Sequence, residues 1–398
     1  MNFVADKSAL KVVGTRPVRP DGIDKVMGRA QFGGDAVMPG MIYGATVRSP
    51  HAHARIKKID TSKAEALKGV RAVMTSADMP EIRSEEAFVG EGPVNFRDLS
   101  CNLMARDKVL YDGHVVAAVA ATSTSIARAA AELIEVEYEV LPHVIDEIEA
   151  MADGAPVLHD DIFTAGVNPK PTKASNVAKR VEFVTGDLDA GFAAADVIVE
   201  RTYKTAPVHQ AYIEPHACTA SYNSDGQCQI ICSSQGQFMV RAFCAKLLGI
   251  ETSDIRVTPA EIGGGFGGKT LVYLEPLALV LSRKAGRPVR MVMDRTEVFR
   301  GTGPTSGGTV KVKVGAKKDG TITAADAEII LQAGAYPGAP MGPAAMCCFA
   351  MYDIENARAV GVDVVSNQRK VAAYRTPGAP ISAFATESVL DEVARGFG

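Results

Sequence analysis

Eight consecutive residues, Gly263-Gly264-Gly265-Phe266-Gly267-Gly268-Lys269-Thr270, carry the densest chemical signal in the chain. Glycines at this density let backbone amides approach a bound group closely. A strand-like run from Ile255 to Ile262 precedes them and an apolar helical run follows as far as Leu281. The loop is therefore expected to join a strand to a helix whose positive N-terminal end suits a phosphate or an oxyanion. Taken literally, the octet satisfies the P-loop spacing and, through Gly263, Gly265 and Gly268, a dinucleotide-binding spacing. Both fits are loose, because Thr258, Pro259 and Glu261 stand where a buried parallel strand is continuously apolar. An NTPase also needs a second strand ending in Asp to hold magnesium, and Met291-Val292-Met293-Asp294 comes too soon after the loop. A P-loop NTPase and a purely structural glycine turn stay open as alternatives on these residues alone.

Other polar residues carry less. His51 and His53 would face one side of a strand and could suggest a metal site, but no third ligand is near, and a structural role is expected. Gln235 follows a strand and precedes a helix, where its side chain can project into a cleft or cap the helix. Glu214 is expected to pack or hydrogen-bond. Seven scattered cysteines, with no Cys-x-x-Cys pair, argue against disulfides, zinc and an iron–sulfur cluster on this chain.

The elements that must position these residues fall into two parts. With 398 residues and 47% of them apolar, the chain can bury a large core. Its 43 basic and 46 acidic side chains nearly cancel, so no strong field favours nucleic acid or an anionic membrane. No secretion signal is legible from Met1 to Pro20, and no run approaches the roughly 18 apolar residues of a membrane span, so a cytoplasmic protein without membrane contact is expected. Residues 1–150 mix strands and helix: Val115 to Ala120 reads as a buried strand, Ser123-Thr124-Ser125 as helix caps, Ile126 to Ile134 as helix and Glu135 to Val140 as a half-exposed strand. Residues 151–177, with Asn168-Pro169-Lys170-Pro171, read as a linker. Residues 178–398 resume with strands at Val197 to Glu200 and Cys228 to Ile231 and a helix from Gln237 to Leu248 stopped by Gly249.

Ser233-Ser234-Gln235, Gly263 to Lys269 and Ala373-Tyr374-Arg375 resemble successive motifs of the molybdopterin-binding subunit of xanthine dehydrogenases and aldehyde oxidases. Upstream, Asp21 to Gly28, Arg48 to Ile56 and Glu137 to Pro142 are similar to that subunit's first domain. The resemblance implies an α+β fold: an α/β-hammerhead domain in residues 1–150, then the linker and the first molybdenum-cofactor-binding domain in residues 178–398. It also implies cofactor contacts from Gln235, Gly264, Gly265, Phe266, Gly267, Gly268 and Arg375, with Gln235, Phe266 and Arg375 nearest molybdenum and none of them a direct ligand. Thr270 and Pro377 occupy substrate positions; they differ from the xanthine-oxidising pattern, and Thr376 differs from the copper-holding Cys of the carbon-monoxide branch. An aldehyde or an aromatic N-heterocycle remains as the small-molecule substrate.

The family hydroxylates a carbon beside a heteroatom or carbonyl using water, with a glutamate as base. That glutamate belongs to a Gly-Glu motif about as far again beyond this chain's end, and Gly90-Glu91 lies in the wrong domain to replace it. The resemblance therefore implies a half-subunit carrying molybdenum–molybdopterin in its cytosine dinucleotide form, acting beside a second molybdopterin-binding half, a 2Fe-2S subunit and an FAD subunit. A non-catalytic assembly subunit or a truncated fragment is the alternative. An isolated half is expected to expose apolar surface and to need association.

Overall fold

The computed structural model describes residues 10–89 and 92–396. The first nine residues of the segment read for a secretion signal, and the Gly90-Glu91 pair, lie outside the described residues.

Two sheets organise the chain. The larger has seven strands in the order Ile255–Pro259, Cys228–Cys232, Ala217–Tyr222, Val289–Val292, Ile42–Arg48, Val115–Ala121 and Val70–Thr75. Its middle is made by a parallel pairing of Ile42 with Val289 and Gly44 with Met291, residues far apart in sequence. Strands from both sides of the expected 151–177 linker thus share one sheet and one apolar core. Residues 152–176 hold no helix or strand, apart from an isolated bridge at Ala165.

Val115–Ala121 is buried at every position, because Ile42–Arg48 and Val70–Thr75 flank it and helices lie on the sheet. Small and β-branched side chains suit that two-sided burial. The helix Thr124–Glu132 starts where Ser123 accepts the amide of Ile126 at 3.2 Å. The helix Glu275–Ala285 is buried from Glu275 to Ser282 and packs on strands from both parts of the chain, which accounts for its lack of a polar stripe. Gln237–Leu248 ends at Gly249, whose φ of 64° reverses the chain.

The second sheet runs Val197–Thr205, Gly308–Ala316, Ile322–Gly334, Ala357–Val365 and Val177–Thr185, with the Ala379–Arg395 helix against it. A three-stranded sheet of Lys108–Val109, Ala54–Asp60 and Glu135–Val140 and a two-stranded one of Glu86–Val89 and Gly92–Asn95 also lie in the first part. The fold is mixed α and β, as expected. Among the described residues no helix is long and apolar enough to cross a membrane.

Candidate functional site

The glycine loop leaves the Ile255–Pro259 strand, which ends before the expected Ile262. The following helix begins only at Glu275, so residues 271–274 separate Thr270 from its first turn and the loop does not sit on a helix N-terminus. That corrects the expected strand–loop–helix arrangement. Lys269, which a P-loop would extend toward phosphate, points inward instead: it is 0% exposed and its Nζ donates to Glu214 Oε2 at 2.7 Å.

Gln235 organises the loop from the neighbouring strand end. Its Oε1 accepts the amides of Gly267 at 2.8 Å and Lys269 at 3.2 Å, and its own backbone amide donates to Lys269 O at 3.0 Å. With the oxygen occupied, the carboxamide NH2 is the end left for another partner. Packing explains the glycines: a Cβ on Gly265 would lie 2.4 Å from Gln235 Oε1, one on Gly267 2.6 Å from Ala373 O, and one on Gly268 2.9 Å from the Tyr212 ring. Gly264 and Gly267 also adopt φ of 97° and 104°, which side chains disfavour.

The third motif closes over the same loop. Arg375 N donates to Phe266 O at 2.8 Å, and Gln210 Nε2 donates to Ala373 O at 2.8 Å. Gln235, Phe266 and Arg375 therefore come together at the loop, all exposed. Thr270 is held there by its hydroxyl to Gly267 O at 2.8 Å, and Pro377 stands two residues beyond Arg375. Three non-glycine residues among those described have positive φ, namely Ala211, Phe266 and Thr376, and all three belong to this constellation. Backbone strain gathered in one place is a signature of a functional site. Sequence reasoning did not single out Ala211 or Gln210, whose residue types carry no signal of their own.

The amides of Gly264, Gly265 and Phe266 have no hydrogen-bond partner among the described residues. Three neighbouring free donors, a free carboxamide NH2 and an exposed guanidinium form a set that fits a ligand rich in oxo and phosphate oxygens. Ile213 is 87% and Phe266 47% exposed, and Phe299 also reaches solvent. A cleft of about 420 Å3 lined by Arg97, Cys101, His159 and Tyr336 includes none of these residues.

The underside is closely bonded. Glu214 accepts Gly263 N at 2.8 Å and Gly33 N at 3.3 Å besides Lys269, and the Lys269 Nζ lies 4.9 Å from the centre of the Tyr212 ring. Tyr212 Oη meets His216 Nε2 at 2.7 Å and Thr302 at 3.1 Å, and Thr302 meets His209 Nε2 at 2.8 Å. Gln210 Oε1, at the edge of this region, is buried and has no partner among the described residues. Burial pulls His216 far below the ordinary histidine pKa and, with Arg369 and Arg295 nearby, brings His209 down to about 4.

The His51 and His53 pair precedes the Ala54–Asp60 strand rather than lying in it, which corrects the expected alternation. His53 Nδ1 contacts Pro142 O at 2.6 Å and His51 packs edge-on against Tyr138. No group of His, Cys, Asp and Glu among the described residues could hold a metal ion.

Known proteins match this arrangement along most of the chain. Residues 170–398 match the molybdopterin cofactor-binding domain, and residues 27–142 match the aldehyde oxidase and xanthine dehydrogenase a/b hammerhead domain. A probable xanthine dehydrogenase subunit of Bacillus subtilis is 33% identical over 95% of this chain and 48% of its own length. The nicotinate dehydrogenase large molybdopterin subunit of Eubacterium barkeri is 31% identical over 98% of this chain and 87% of its own. The crystal structure of quinoline 2-oxidoreductase from Pseudomonas putida 86 superposes with a TM-score of 0.86 at 30% identity, covering 97% of this chain and 48% of that one. The chain thus spans about half the length of the Bacillus and Pseudomonas relatives and most of the Eubacterium subunit.

Proposed function

Because the chain belongs to the family of molybdopterin-binding subunits of xanthine dehydrogenases and aldehyde oxidases, we propose that it is the first cofactor-binding half of a molybdenum hydroxylase. The observation that carries this reading is the row of amides at Gly264, Gly265 and Phe266, unpaired among the described residues, beside the Gln235 carboxamide and Arg375. In the proposed role the three amides and the Gln235 NH2 donate to cofactor oxygens, and Arg375 offers its guanidinium to the same group. Gly267 and Gly268 let the chain pass close by. Phe266 shields the centre from water, and Thr270 and Pro377 border the substrate. The bound group, a molybdenum–molybdopterin in its cytosine dinucleotide form, supplies oxidation of a substrate carbon with oxygen from water.

The substrate class is an aldehyde or an aromatic N-heterocycle. In this reading the base glutamate belongs to a second molybdopterin-binding half, and electrons leave through 2Fe-2S and FAD partner subunits in the cytoplasm. Lys269 argues against the NTPase alternative, since an ammonium buried and ion-paired on the inner side of the loop cannot reach a phosphate outside it.

The chain co-expressed with its neighbouring genes and purified by its own tag tests this. Molybdenum and a pterin nucleotide in the product, with iron on a co-purifying chain, are the expected result. A folded complex lacking both metals would overturn it in favour of an assembly subunit or fragment.

A further inference from the structure

We infer that Glu214 and Lys269 are a positioning pair that sets the glycine loop and the Gln235 carboxamide from below, an inference that rests on the cofactor role proposed for the loop's upper face. One carboxylate oxygen, Glu214 Oε2, takes both the first amide of the loop, Gly263 N, and the ammonium of its last lysine, closing residues 263–269 into a ring. The other oxygen takes Gly33 N, from a distant part of the chain. Lys269 then passes the constraint upward: its amide and carbonyl hold the Gln235 side-chain oxygen and backbone amide. Gln235 is turned NH2-outward because Gly267 and Lys269 claim its oxygen.

A buried ion pair adds little net stability, and an apolar pair of the same volume commonly serves as well. An apolar pair could not, however, accept the amides of Gly263 and Gly33. What the charges supply at this place is geometry. Neither side chain reaches the upper face, so both act through Gln235 and the loop rather than by touching a ligand.

Hydrogen exchange on the full chain, read without cofactor, tests the pair. In the double variant Lys269→Met/Glu214→Leu, charge is removed without leaving an unpaired ion. The bonded loop amides of Gly263, Gly267 and Lys269 should exchange about tenfold faster while those of Cys228–Cys232 change by less than about twofold. Loop and strand amides accelerating together, or a loop that does not change, would overturn the inference in favour of a merely structural pair. Should the double variant not fold, Glu214→Gln, which keeps volume and one acceptor, should accelerate the loop about threefold, again without the strand; an unmoved loop there overturns it equally. In the co-expressed complex either variant should lower the pterin content. A wild-type complex devoid of molybdenum would remove the proposed function, whereas the exchange result would still decide whether the pair sets the loop.

Discussion

The upper face of the glycine loop and its underside are built from the same eight residues, yet they differ in how their polar groups are used. Above, three backbone amides, a carboxamide NH2 and a guanidinium have no partner among the described residues. Below, the Glu214 carboxylate, the Lys269 ammonium and the Tyr212 hydroxyl each have a partner and are buried, with Gln210 Oε1 at the region's edge the exception. Buried polar groups are normally satisfied, so saturation marks the side that holds shape, and unpaired donors at a strained backbone mark the side proposed to take the cofactor.

Removing the ammonium should break the underside with the largest effect. Lys269→Ala leaves the Glu214 carboxylate buried beside two amides, and about 3–5 kcal/mol of stability should be lost. The urea unfolding midpoint checks this, and a loss under about 1 kcal/mol would show that water reaches the pair. Gly267→Ala comes next, because the new Cβ meets Ala373 O at 2.6 Å in a backbone at φ 104°. A cost of about 2 kcal/mol is expected by the same measurement. Gly249→Ala, with open space around its Cβ, provides a contrast that carries the φ penalty alone.

Acid should loosen the underside by a smaller amount. His209 has a folded pKa of about 4 against an ordinary 6.5. The unfolded chain therefore takes up a proton that the folded chain refuses, so this stabilisation is whole above the unfolded value and is lost as pH falls from 6.5 toward 4. The full shift corresponds to about 3 kcal/mol, and partial exposure of His209 reduces it to about 1–2 kcal/mol. His209→Gln should flatten the pH dependence of the midpoint between about pH 7 and 5; an unchanged slope would remove His209 from the account.

Much of the local structure was legible in the sequence. The Gln237–Leu248 helix and its Gly249 stop, the Val115–Ala121 strand and the Ser123 cap all follow from periodicity and capping chemistry, which act over a few residues. The pairing of Ile42 with Val289 was not, since strand partners hundreds of residues apart leave no local pattern. Lys269 shows the same limit at the site. Its spacing suggests a phosphate ligand, and only the placement of Glu214, 55 residues away, turns it inward. The helix start at Glu275 rather than at Thr270 was legible as well, since Pro276 is tolerated only in the first turn of a helix and bars one that begins at the loop.

The smallest expected effect on stability draws the contrast most sharply. Arg375 is exposed, and its hydrogen bond to the loop is made by its backbone amide, which any residue except proline supplies. Arg375→Ala should therefore shift stability, read from the unfolding midpoint, by less than about 0.5 kcal/mol. If the upper face waits for the molybdenum cofactor, the same variant should lower the pterin nucleotide recovered with the co-expressed complex at unchanged fold stability. Stability lost in step with the cofactor would mean that the guanidinium belongs to the scaffold, and the division between a saturated underside and an unpaired upper face would have to be redrawn to exclude it.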